Sequence, residues 1–175
     1  MGMTKLEILK YVRRFISDEQ AASYTDTANL EQPDGKDELV NYLDRAVSAY
    51  SERQAAARDM RLVKSMSVTN GMAIPADFLG FAGLVPISTA DNTFRFYGHT
   101  ATLPIKYFAR LPYVSSFNDN DALPYQHDQE MTIAALAAIY ALNKHEFNVS
   151  QDLMLLGYGG GAAANGDTDG QAPGA

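Results

Sequence analysis

Three histidines, His99, His127 and His145, are the only imidazoles in the chain, and His127 stands beside Asp128 and Glu130. Imidazole and carboxylate are the side chains of a zinc-type site. Here they open a helix, need not converge, and have no second histidine at i+4. His127 and His145 are 18 positions apart, about 27 Å along one continuous helix at 1.5 Å per residue. No metal ligand set is expected.

Nucleophilic catalysis fares no better, because the strand-to-helix G-x-S-x-G elbow is absent. Asp77, Asp119 and Asp121 have ordinary turn or cap roles. The run Gly157-Tyr158-Gly159-Gly160-Gly161-Ala162 matches G-x-G-x-x-A, but it follows a helix instead of a strand, so the dinucleotide reading fails on context. No Gly-Lys-Ser/Thr occurs, and the last lysine is Lys144. Asn148-Val149-Ser150 is a sequon by pattern only. Arg53, Arg58, Arg61 and Lys64 read as a solvated helix end, since Glu52 and Asp59 dilute them and no aromatics interleave. No catalytic, metal or cofactor residue is assigned, and the expected role is not enzymatic.

The 175 residues carry 14 basic and 21 acidic side chains, net -7, with no Cys and no Trp. Lack of cysteine excludes disulfide scaffolds, thiolate metal sites and cysteine nucleophiles. The uncharged runs Phe78 to Ala90 and Met131 to Asn143 hold 13 residues each, short of the roughly 18 to 20 that span a bilayer. A soluble chain is expected, with no membrane partner. Met1 to Lys10 shows no secretory pattern, and Leu6 stands where a myristoylation motif after Gly2 wants Ser or Thr. Residues 1–64 hold 10 basic and 11 acidic groups; residues 65–175 hold 4 and 10. The later part is therefore a poor polyanion binder.

The elements that must position these residues follow from periodicity. Leu6, Leu9, Val12, Phe15 and Ile16 recur at helical spacing and predict a helix over 4–16, with Thr4 and Glu7 as a capping box. Ser17 to Gly35 is a long acidic connection. Leu39, Leu43, Ala46, Val47 and Tyr50 form one stripe of a helix over 37–58, capped by Asp34 or Asp37. A β unit is expected over about 63–112. In it Met66 and Val68 lead through Asn70-Gly71 into Ala73-Ile74 as a hairpin. Leu84 to Ser88, Thr93 to Gly98 and Thr102 to Ala109 follow as meander strands.

A helix over 128–147 carries two apolar faces: Ala134, Ala137, Ala138 and Ala141 on one, and Ile133, Leu136, Tyr140 and Phe147 on the other. Such a helix must be covered on both sides, by its own domain or by a neighbouring subunit. A short last helix over 149–156 stops at Gly157. Beyond it, Gly157 to Ala175 has 7 Gly, 5 Ala and no Lys or Arg, so it cannot join a core. The expected fold is α+β: a helical bundle of N- and C-terminal helices with a small inserted antiparallel β-sheet unit. Residues 1–156 form one domain, and 157–175 a glycine-rich flexible or docking tail.

The order of these blocks resembles the head-to-tail adaptor, or connector, proteins of tailed bacteriophages, particularly short-tailed ones. The residues that carry the resemblance are Ile74-Pro75-Ala76-Asp77-Phe78-Leu79, the strand Tyr107-Phe108-Ala109-Arg110-Leu111-Pro112, the loop Asn118-Asp119-Asn120-Asp121, and Leu123-Pro124 before the Ala-rich helix. It covers nearly all of residues 4–156.

The resemblance implies a virion structural protein at the head-tail junction, made in the bacterial host cytoplasm. It implies a homo-oligomeric ring, commonly of twelve copies, with the portal protein on one side and tail or nozzle proteins on the other. DNA passes through the centre without sequence-specific binding. Val149, Leu153, Leu156 and Tyr158 are assigned to portal or subunit contacts, and Ala134, Ala137, Ala138 and Ala141 to an inter-helix or inter-subunit face. The alternatives are another tail component, such as a nozzle protein or tail terminator, or a small enzyme or ligand-binding domain whose site converges only in three dimensions.

Overall fold

The structure is a computed structural model that describes residues 2–16, 38–98, 102–144, 154 and 156–158. Among these, the chain forms three α-helices, α1 (Lys5–Phe15), α2 (Glu38–Ala56) and α3 (His127–Lys144). Five strands lie between α2 and α3: β1 (Val63–Val68), β2 (Phe78–Phe81), β3 (Ile87–Ala90), β4 (Thr93–Phe96) and β5 (Leu103–Ala109). The acidic connection Ser17 to Gly35, its caps Asp34 and Asp37, and the greater part of the helix expected at 149–156 lie outside the described residues, as do His99 and His145.

Local chemistry sets the ends of the helices. Thr4 Oγ1 accepts the Glu7 N–H at 3.2 Å and the Glu7 carboxylate accepts the Thr4 N–H at 2.7 Å, a complete capping box. The next free amides of α1 are taken up from another part of the chain: Lys5 N–H donates to Asp121 O and Leu6 N–H to Asp119 O. The buried face of α1 is Ile8, Leu9 and Val12, with Phe15 turned out. It is thus rotated from the stripe read in the sequence.

All five stripe residues of α2 are buried. This helix stops short of the expected residue 58 because Arg58 adopts a left-handed φ of 58°. Asp59 N–H then reaches back to Gln54 O and Arg58 N–H to Ala55 O, which closes the last turn.

The helices do not form the expected bundle. α1 and α2 each pack on α3 and scarcely on each other, and α2 also meets the sheet and the 114–116 turn. An 11-residue α1 cannot run the length of a bundle of 18- and 19-residue helices. Nor is the β unit one meander: the strands make two antiparallel sheets, a three-stranded sheet in the order β1-β5-β2 and a separate β3-β4 hairpin.

The hairpin expected at Asn70-Gly71 does not close on β1. Throughout its length β1 pairs with β5, from Val63 opposite Phe108 to Val68 opposite Leu103. The Asn-Gly turn, with Gly71 at φ 81°, instead lays residues 71–74 along β4: Gly71 N–H donates to Phe94 O, and Ile74 N–H to Asn92 O. The true two-residue hairpin turn is Asp91-Asn92, both at positive φ as a mirror-type turn requires.

Two cores result. The larger joins α1, α2 and α3 with Val114, Leu123 and Tyr125. The smaller, Val68, Ile87, Phe94 and Ile105, lies between the three-stranded sheet and the hairpin. Alternation along β5 serves both sides: Ile105 belongs to the small core and Tyr107 stacks on Phe78 there, while Phe108 faces α2. The three-stranded sheet is therefore a middle layer between helices and hairpin.

Arg58 supports a prediction. Glycine has no Cβ to crowd the left-handed conformation, so Arg58→Gly should raise stability by about 0.5–1 kcal/mol, read as a higher urea midpoint at unchanged slope. A lower midpoint would show that the Arg58 side chain contributes more than its backbone costs.

Candidate functional site

His127, Asp128 and Glu130 do not converge. The His127 ring is 80% exposed, with Nδ1 3.7 Å from Glu130 Oε2. Asp128 turns away to Arg61 at 2.6 Å. Glu130 is buried and accepts the Met3 N–H at 2.5 Å, tying the N-terminal segment to α3. An open cleft of about 600 Å³ lies beside it, walled by Met3, Glu7, Lys10 and Asn120. Among the described residues no group of three or more His, Asp or Glu is placed to hold a metal ion. Asp119 pairs with Lys5 at 3.4 Å, and Asp121 accepts from Asn118, so both serve the loop that caps α1.

The basic residues of 53–64 are not a helix end. Arg53 lies over the Tyr158 ring at 4.9 Å, Arg61 bridges Asp59 at 2.7 Å and Asp128 at 2.6 Å, and Lys64 pairs with Asp77 at 2.7 Å. Sequence spacing pointed to dilution of these cations by Glu52 and Asp59. It gave no sign of Asp128 or Asp77, which are distant along the chain. Hydrogen bonds from Arg61 hold the carboxyls of Asp59 and Asp128 below their ordinary range.

The strings that carry the phage resemblance meet. Phe78 pairs with Ala109 across β2 and β5, and Arg110 N–H donates to Asp77 O at 2.6 Å. The Asp77 carboxylate accepts from Lys64 and from the Tyr107 hydroxyl, the latter at 3.3 Å. The Phe78 and Tyr107 rings stack with centroids 5.6 Å apart. Burial, and the neighbouring Asp77 charge after it, push the Tyr107 phenol up. The junction extends to α2, where Leu111 N–H donates to Ser51 Oγ and the Tyr113 hydroxyl meets Ser48 and Arg110.

Comparison with known protein families, curated proteins and solved structures finds no match to this chain.

Of the residues assigned to partner contacts, Val149 and Leu153 lie outside the described residues. Leu156 and Tyr158 are partly buried against the helical core of the same chain. Burial pushes the Tyr158 phenol up to about 12, and its hydroxyl has no hydrogen-bond partner. Ala134, Ala137, Ala138 and Ala141 are at most 6% exposed and belong to the core shared with α1 and α2. The chain covers both faces of α3 by itself. Exposed apolar side chains lie elsewhere, on the hairpin side: Leu84 is fully exposed and Tyr97 69% exposed. No helix among the described residues is long and apolar enough to cross a membrane.

Two outcomes are expected. Tyr158→Phe keeps the ring under Arg53 and removes an unsatisfied hydroxyl, so thermal unfolding should show equal or higher stability, by up to about 1 kcal/mol. Tyr158→Ala should cost about 2 kcal/mol. A loss on Tyr158→Phe would mean that the hydroxyl is bonded. Separately, Arg61→Met should cost about 0.2–1 kcal/mol at neutral pH, since these pairs are largely exposed. Because the Asp59 and Asp128 pKa values are depressed in the folded state, that difference should hold above about pH 4 and vanish as pH falls through the folded values. Urea titrations at neutral pH and near pH 2.5 check it, and a difference that persists in acid contradicts it.

Proposed function

We propose that this chain is a structural subunit of a tailed-phage virion, a ring-forming adaptor that joins the portal to the tail and lets DNA pass through its centre. One observation carries the reading. Ile74 to Leu79 and Tyr107 to Pro112, about 30 positions apart, form a single junction through the Asp77–Arg110 backbone bond, the Asp77–Tyr107 contact and the Phe78–Ala109 pairing. Short strings that meet in space behave as one signature. Their combined occurrence is harder to obtain by chance than either alone.

Electrostatics agrees with passage instead of binding. After residue 64 the chain has 4 cations against 10 carboxylates, and Arg53, Arg61 and Lys64 are spent on internal partners. Phosphate retention depends on free Lys and Arg releasing counterions. A wall of this composition lets DNA slide. The exposed Leu84 and Tyr97 suit a protein that completes itself in an assembly. Since Leu156 and Tyr158 pack on their own core, the arm left to reach a partner is residues 159–175. These can extend about 55 Å at 3.3 Å per residue.

Native mass spectrometry of the full chain, alone and mixed with purified portal rings, tests the reading. The expected result is a closed oligomer of many copies, formed alone or on the portal. Truncation after Tyr158 should leave a folded protein that co-sediments less with portal. A chain that stays monomeric with portal rings present, or a truncated chain that co-sediments unchanged, contradicts the corresponding part of the proposal.

A further inference from the structure

The ring proposed above needs a contact between copies, and two features on opposite faces of the middle sheet fit each other. On the hairpin side, the loop from Ala82 to Pro86 leaves β2 and presents Leu84 to solvent with its whole side chain exposed. Beside it Tyr97 N–H donates to Pro86 O at 3.3 Å, which places the exposed Tyr97 at the same end of the hairpin. Val85 is anchored in the small core, so the loop is held from below while its tip stays uncovered. Gly83 has open space around it, and the loop carries no charge.

On the helix side, α2 and the border strand β2 enclose a groove of about 470 Å³, walled by Ala55, Ala56, Leu79 and Phe108 with Glu52 and Arg58 at its rim. β2 pairs with β5 on one side and with no described strand on the other. The small Ala55 and Ala56 side chains keep the groove open. Its volume exceeds that of one leucine side chain, and its walls are apolar where Leu84 is apolar. Charges outside the apolar parts also match: the hairpin carries exposed Arg95 and Asp91, and the groove rim carries Glu52 and Arg58, one cation and one carboxylate on each.

We propose that the Leu84 loop of one copy of this chain seats in the α2–β2 groove of the next copy. Because knob and groove lie on opposite faces of the three-stranded sheet, the contact is head-to-tail. Each copy gives a knob to one neighbour and a groove to the other, the arrangement that closes into a ring when the rotation between copies permits. This rests on the ring reading of the preceding subsection and names the surface that builds it.

The chain has no cysteine, so an introduced pair reports on itself. In a variant carrying both Leu84→Cys and Ala56→Cys, mild oxidation during assembly, alone or on portal rings, should give a ladder of disulfide-linked dimers, trimers and higher species. Each single-cysteine variant should give at most dimers, at least tenfold more slowly. Leu84→Arg, a fully exposed position, should stay folded by circular dichroism and lose the oligomer.

If the wild-type chain assembles but the double variant gives no ladder beyond the singles, or Leu84→Arg assembles like wild type, the inference is overturned while the adaptor reading stands. If the wild-type chain never assembles, the adaptor reading itself fails and the inference falls with it. If Ala56→Cys in the monomer is shielded from maleimide and is freed by deleting residues 159–175, the groove's occupant is the chain's own tail, which also overturns the inference.

Discussion

Most of this structure follows from the need to cover α3. Its residues from Ile133 to Ala141 are apolar nearly all round, and burying each large apolar side chain is worth about 1.5–3 kcal/mol. α1 and α2 take two of its sides, and the segment from Val114 to Tyr125 closes the remainder. The alanines at 134, 137, 138 and 141 decide how near these elements come, since a small side chain lets a neighbouring backbone approach. Larger residues there would push α2 away and loosen the contacts that α2 makes with the sheet.

A second constraint passes through α2 to the β unit. Ser48 and Ser51 on α2 hold Tyr113 and Leu111, and Asp44 accepts the Ser115 N–H. These bonds fasten the end of β5 to the helix. From there the Asp77 junction binds β2, β1 and β5 to each other, and the hairpin is secured by the aromatic contacts among Phe78, Phe81 and Phe94. Helical layer, middle sheet and hairpin thus form a chain of dependence. The features offered for assembly, Leu84 and the α2–β2 groove, sit at positions that this chain holds in place.

Much of the helical part was legible in the sequence because its signals are local. The Thr4–Glu7 box, the α2 stripe and the apolar run of α3 depend on neighbours three or four residues apart. Asn70-Gly71 misled because a turn dipeptide specifies a reversal and not the strand that receives it. β1 found a longer and better buried partner in β5. The bundle expectation failed for a related reason: periodicity identifies which face of a helix is apolar, but not which neighbour will cover it.

Arg53, Arg61 and Lys64 show the same limit. Each ends on a group 13 to 105 positions away, and no spacing rule reports such pairs. The exposed Leu84 was invisible for the opposite reason: an apolar residue in an apolar stretch gives no hint that it will be left outside.

A protein that buries its most apolar helix alone, spends its central cations internally and leaves an uncharged leucine loop in solvent is built to be one part among copies of itself. The most direct measurement is electron microscopy of purified portal rings incubated with the full chain. The account predicts an added ring of density beneath each portal, with an open centre wide enough for duplex DNA. Portal rings that look the same with and without the chain, at concentrations well above those at which adaptors load, would contradict it.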